Sequence, residues 1–93
     1  MRLNQNFNDW LKKHIGRAIS DLRENVFSGI NVPKRLIPKY YIDKYNIDNL
    51  WKYDLPKGWR LLYTIINENE IQLLSIILDW MNHKDYERRF GYE

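Results

Sequence analysis

The sequence predicts an α+β domain: an N-terminal helix packed on a three- to four-stranded, mainly antiparallel sheet, with a short C-terminal helix. Three observations carry that prediction. Apolar residues recur at three- and four-residue spacing from Phe7 to Val26, then give way to strand-like runs after Tyr40. Turn-forming clusters at Pro56-Lys57-Gly58 and Asn67-Glu68-Asn69-Glu70 cut the second half into three strand-sized pieces. The chain has 93 residues, 44% of them apolar, which is enough for one modest core and hence one domain over residues 1–93.

The first helix gathers Phe7, Trp10, Leu11, Ile15, Ala18, Ile19, Leu22 and Val26 on one face. Lys12, Lys13, Arg17, Asp21, Arg23 and Glu24 take the other. Asn6 or Asn8 can cap its start, and Ser28-Gly29 ends it. Gly16 weakens the middle and marks a candidate close packing contact. Residues 30–39 read as a basic loop, because Pro33 and Pro38 oppose a regular helix. Residues 40–45 read as a short extended segment, followed by a polar turn through residues 46–49.

Residues 50–55, 59–66 and 71–78 read as the three strands of a meander. Alternation sorts their faces. Trp51, Tyr53 and Leu55 oppose Leu50, Lys52 and Asp54; Trp59, Leu61, Tyr63 and Ile65 oppose Arg60, Leu62, Thr64 and Ile66. The strand over 71–78 is apolar on both faces near its centre, which places it inside the sheet. One sheet face is expected to hold the first helix. The other is expected to be concave, partly polar, and to include Lys52 and Arg60. The expected core is Trp10, Ile15, Ile19, Leu22, Leu61, Tyr63, Leu73 and Ile77. Asn82 can cap a last helix over 83–90.

Composition limits the function classes. With no Cys there is neither a disulfide framework nor a thiolate metal site. The first residues, Met1-Arg2-Leu3-Asn4-Gln5-Asn6, lack the apolar run of a signal peptide, and the longest apolar segments are only strand-sized. A cytoplasmic location without membrane insertion is the expectation. His14 and His83 are far apart, no ligand-spaced His/Asp/Glu cluster exists, and there is no glycine-rich phosphate loop, so no metal or cofactor is expected. Charge is uneven. Residues 1–44 carry nine Lys/Arg against four Asp/Glu, net +5; residues 45–93 carry six against eight, net −2. The positive field therefore lies in the first half, as a solvated helix face or a surface for an anionic partner.

The strand Gly58-Trp59-Arg60-Leu61-Leu62-Tyr63-Thr64-Ile65, preceded by Leu50-Trp51-Lys52-Tyr53-Asp54-Leu55, resembles the central strands of the RelE/ParE superfamily of toxins. The ending Asn82-His83-Lys84-Asp85-Tyr86-Glu87 is similar to the histidine–lysine–acid–tyrosine–acid ending of its HigB branch. The resemblance covers residues 50–87 and the helical character of residues 7–27. It implies the toxin of a type II toxin–antitoxin system, a ribosome-dependent mRNA endoribonuclease that uses the RNA 2′-hydroxyl as nucleophile and needs no metal. The same superfamily also implies two alternatives: a ParE-like inhibitor of DNA gyrase, or an inactive interaction domain of the same fold.

Under that resemblance the catalytic candidates are Arg60, Lys52, His83, Lys84 and Tyr86. A guanidinium on a rigid strand can hold two phosphate oxygens, which suits Arg60; an ion pair with Asp54 or Asp79 is its competing role. Histidine's ordinary pKa of about 6.5 suits proton transfer near neutrality, so His83 is the candidate general acid for the leaving 5′-oxygen. Lys52 and Lys84 can neutralise phosphate, and Lys52 can accept a proton if neighbours lower its pKa. Tyr86 can stack on a base or donate to phosphate. Arg88, Arg89, Lys34 and Arg35 are candidate RNA-binding cations, and His14 reads as a surface or boundary residue. The implied partners are the ribosome, mRNA and a cognate antitoxin. The antitoxin is expected on the basic helix face and the aromatic, basic segment 33–45, masking the concave face.

Overall fold

The computed structural model describes residues 5–78. Helix α1 (Gln5–Glu24) packs on a four-stranded antiparallel sheet of β1 (Ile30–Val32), β2 (Leu50–Asp54), β3 (Trp59–Asn67) and β4 (Glu70–Leu78), in the order β1-β2-β3-β4. A short helix, α2 (Lys39–Tyr45), lies between β1 and β2. This is the α+β arrangement the sequence predicts. The expected C-terminal helix over 83–90 falls outside the described residues.

Helix α1 ends two residues before the apolar periodicity does. The Asn25 side chain accepts from the Phe27 amide at 3.0 Å and caps a 3-10 turn, Val26–Ser28, which still buries Val26. Ala18 and Leu22, with half-buried Ile15, meet Leu55, Leu61 and Tyr63 on one sheet face. Gly16 is not a packing contact, because a Cβ there would meet nothing within 4 Å.

The segment expected to be irregular is instead ordered. Ile30–Val32 pairs with β2, Val32 opposite Leu50 and Ile30 opposite Lys52. Lys34–Leu36 forms a 3-10 turn, and residues 40–45 belong to α2 rather than to an extended run. Pro38 stands at the cap position with φ −59°, so it enters the helix without interrupting it. Asn46 closes α2 in the left-handed conformation, φ 53°, its amide donating to the Ile42 carbonyl at 2.9 Å. A seven-residue helix is not stable alone. Here Ile37, Tyr41 and Tyr45, spaced by four, turn one side to the sheet and pack with Leu36, Val32, Leu50, Leu62 and Leu74. The Tyr45 hydroxyl donates to the Leu74 carbonyl at 3.2 Å, and the Tyr41 hydroxyl lies 3.3 Å from Ser75 Oγ.

The sheet is therefore covered on both faces, by α1 and by the 33–45 segment. This corrects two expectations. The second face is not open and concave throughout. And β4 is not internal: among the described residues it is the last strand of the order, with β3 between β2 and β4. Its two-sided apolar pattern arises because Ile71 packs towards α1 while Leu74 and Ile77 pack towards α2. The expected core is corrected in the same way. Leu22, Leu61 and Tyr63 are buried, Trp10, Ile15 and Ile19 are half-buried, Ile77 belongs to the other face, and Leu73 is exposed.

Candidate functional site

Residues directly opposed across a ladder share a face, so the register builds the site row by row. One row is Ile30, Lys52, Leu62 and Ser75 across the four strands; the next is Asp54, Arg60 and Ile77. Lys52 and Arg60 thus stand on adjacent strands, on one face, in neighbouring rows, as strand alternation predicts. The Pro56–Gly58 turn that joins β2 to β3 holds this register, with Lys57 at φ 62° and Gly58 at φ 83°, a conformation for which glycine is suited.

The surroundings differ from an open cationic face. Lys52 is buried, 9% exposed, on β2 between β1 and β3. Arg60 is half-buried, and its Nε lies 3.5 Å from Asp54 Oδ1. The register sets Asp54 directly opposite Arg60, which realises the competing role of that arginine. Beside Lys52 a shallow depression of about 260 Å³ is lined by Ser28, Gly29, Ile30, Lys52, Tyr53 and Asp54. Its floor is rigid. A Cβ on Gly29 would come within 2.6 Å of both the Lys52 carbonyl oxygen and the Tyr63 hydroxyl, so only glycine fits there without displacing β2. The Gly29 amide donates to the Tyr63 hydroxyl at 3.2 Å, and that hydroxyl donates to the Val26 carbonyl at 2.8 Å. Burial pushes the Tyr63 phenol up, against the Gly29 hydrogen bond, and the group stays neutral.

No family model matches this chain, and comparison with curated proteins and with solved structures returns no match.

Lys52 and Arg60 are the two predicted catalytic residues that the structure brings together. His83, Lys84, Tyr86, Arg88 and Arg89 lie outside the described residues. Lys34 and Arg35 are exposed on the 3-10 turn, apart from the Lys52 row, and neither forms an ion pair among the described residues. His14 sits on α1, across the sheet from Lys52, with its ring 4.6 Å from that of Trp10, so it does not join the site. Among the described residues no three His, Asp or Glu side chains gather as a metal-binding group, and no helix is long and apolar enough to cross a membrane.

One residue on this side of the sheet carries no distinguishing signal in the sequence. Tyr40, on α2, is 60% exposed, and the Lys44 ammonium donates to its hydroxyl at 3.0 Å. The Tyr spacing is legible, but a segment read as extended gives no reason to separate Tyr40 from Tyr41 and Tyr45.

Proposed function

We propose that this protein is the toxin of a type II toxin–antitoxin system, a ribosome-dependent mRNA endoribonuclease. The observation that supports this reading most is the pairing of Lys52 and Arg60 on adjacent strands of one face, beside a depression with room for a phosphodiester. In the reaction the ribose 2′-oxygen attacks the adjacent phosphorus in line, the bond to the 5′-oxygen breaks, and a 2′,3′-cyclic phosphate and a 5′-hydroxyl result. Arg60 stabilises the doubly charged phosphorane, and Lys52 adds positive charge beside it. A proton leaves the 2′-hydroxyl for solvent water and another is delivered to the 5′-oxygen. His83 is the proposed donor: Ile77, opposite Arg60, is the penultimate residue of β4, and His83 follows it six positions later in the sequence. Lys84 and Tyr86 follow it. The reading calls for a cytoplasmic antitoxin chain that masks this face.

The test is translation in an extract with and without the protein, with primer extension to find cuts at stalled ribosomes. Arg60→Ala should slow cleavage by roughly 10²–10³-fold, the scale of a lost oxyanion donor. Undiminished cleavage by that variant would remove the mechanism.

A second reading is favoured by the Arg60–Asp54 ion pair, which engages the guanidinium within the protein. On that reading the same fold inhibits DNA gyrase as ParE-like toxins do, or serves protein binding alone. Asp54→Asn separates the two. It should preserve or raise cleavage if Arg60 works on phosphate. A wild type that cuts no mRNA but blocks supercoiling by purified gyrase decides for the second.

A further inference from the structure

We propose that the 33–45 segment is a docking surface for single-stranded RNA, with Tyr40 as the platform for one unpaired base and Lys34, Arg35, Lys39 and Lys44 as the contacts for flanking phosphates. The choice of RNA over single-stranded DNA rests on the ribonuclease reading; the geometry of the surface does not.

Charge is the first observation. Residues 33–45 hold four cations and one anion, Asp43, a net of +3. The whole chain carries +3, so the other residues, eleven cations against eleven anions, sum to zero. All of the formal excess that would attract a polyanion sits in this one segment. The segment is also two-sided. Leu36, Ile37, Tyr41 and Tyr45 tie it to the sheet, which leaves Lys34, Arg35, Lys39, Tyr40 and Lys44 exposed on a rigid base.

Tyr40 is the second observation. A large ring that is 60% exposed contributes little to the core. It is nonetheless fixed in orientation: the Tyr41 ring meets it edge-on, centroids 5.3 Å apart at 82°, and Lys44 bonds its hydroxyl. That hydrogen bond raises the Lys44 pKa, so the ammonium stays charged beside the ring. A pre-oriented aromatic flanked by cations is what base stacking with backbone neutralisation requires. The Lys39–Asp43 pair, 2.7 Å and fully on the surface, is weak enough to exchange for a phosphate. An acidic polypeptide is the less suited occupant. It would match the charge but leave Tyr40 without a stacking partner, and Ile42 is the only apolar side chain exposed on α2 beside Tyr40. A duplex is also unsuited, because its bases are already stacked.

The experiment is fluorescence anisotropy of the full chain with a labelled single strand of about 15 nucleotides. The strand is 2′-O-methylated, which removes the nucleophile, so binding is read without cleavage. The wild type should bind, and Tyr40→Ala should weaken binding roughly 5- to 100-fold, while Tyr40→Phe keeps it within about twofold. Lys34→Ala with Arg35→Ala should lower the slope of log affinity against log salt by about 1.4, two single-strand phosphate contacts. Melting curves establish that each variant is folded. Equal binding by Tyr40→Ala, an unchanged salt slope, equal affinity for a duplex, or tighter binding of a glutamate-rich peptide would each overturn the proposal. Cleavage by a wild type whose RNA binding ignores these variants would sink the docking surface and leave the ribonuclease standing. Variant-sensitive binding without any mRNA cleavage would do the reverse.

Discussion

Tyr63 holds two hydrogen bonds on a side chain with no solvent access, and through them fastens the turn after α1 to the centre of the sheet. Tyr63→Phe would strand the Val26 carbonyl and the Gly29 amide, so it should cost about 1–3 kcal/mol in urea unfolding with an unchanged denaturant slope. Tyr53 makes a different use of the same group. Its hydroxyl donates to the Asp21 carboxylate on α1, which is the main reason its pKa is pushed up to about 12 from the ordinary 10.0. The folded-state value is the higher one. The contribution of this bond is therefore complete below about pH 10 and is lost as pH rises through about 12. Tyr53→Phe should flatten that part of the alkaline loss of stability, seen by following the unfolding midpoint from pH 9 to pH 12. Identical alkaline profiles for the two proteins would disprove the linkage.

At the scale of elements, the junction before β2 depends on Asn49. Its Oδ1 accepts from the Ile65 amide at 2.8 Å and its Nδ2 donates to the Ile65 carbonyl at 3.0 Å, so one side chain extends the β2–β3 ladder in place of backbone. The Thr64 hydroxyl donates to the Asn49 carbonyl at 2.8 Å, which leaves that buried hydroxyl satisfied. Asn49→Ala should cost about 1–3 kcal/mol, with the early loss of protection in hydrogen exchange at the Ile65 amide. Full protection there would show that the ladder does not need the side chain. Helix α2 illustrates the opposite dependence. Its helicity comes from burial of Tyr41 and Tyr45 on the sheet, since its length of seven residues does not supply it.

Across the whole molecule the sheet separates two apolar layers. Leu22 belongs to the layer under α1 and Leu36 to the layer under α2, and each cluster draws on different strand positions. Leu22→Ala and Leu36→Ala should each cost about 2–5 kcal/mol, and the double variant should lose nearly the sum, within about 0.5 kcal/mol. Unfolding should remain one cooperative transition, because both layers share β3. Two separate melting steps in either single variant would show that the layers are independent units.

The sequence by itself determined the long first helix, the β2–β3–β4 meander with its turns, and which side chains share a face. Each of these follows from local periodicity or turn chemistry. Strand alternation alone is enough to assign Lys52 and Arg60 to one face. Tertiary structure alone decided how that face is used. Lys52 is buried because neighbouring strands and the segments around them enclose it. It also decided that residues 39–45 form a helix, since the Tyr41 and Tyr45 side chains gain from that conformation only where Leu36, Leu62 and Leu74 meet them. Residues far apart in sequence supply that energy, and no window of local sequence contains it.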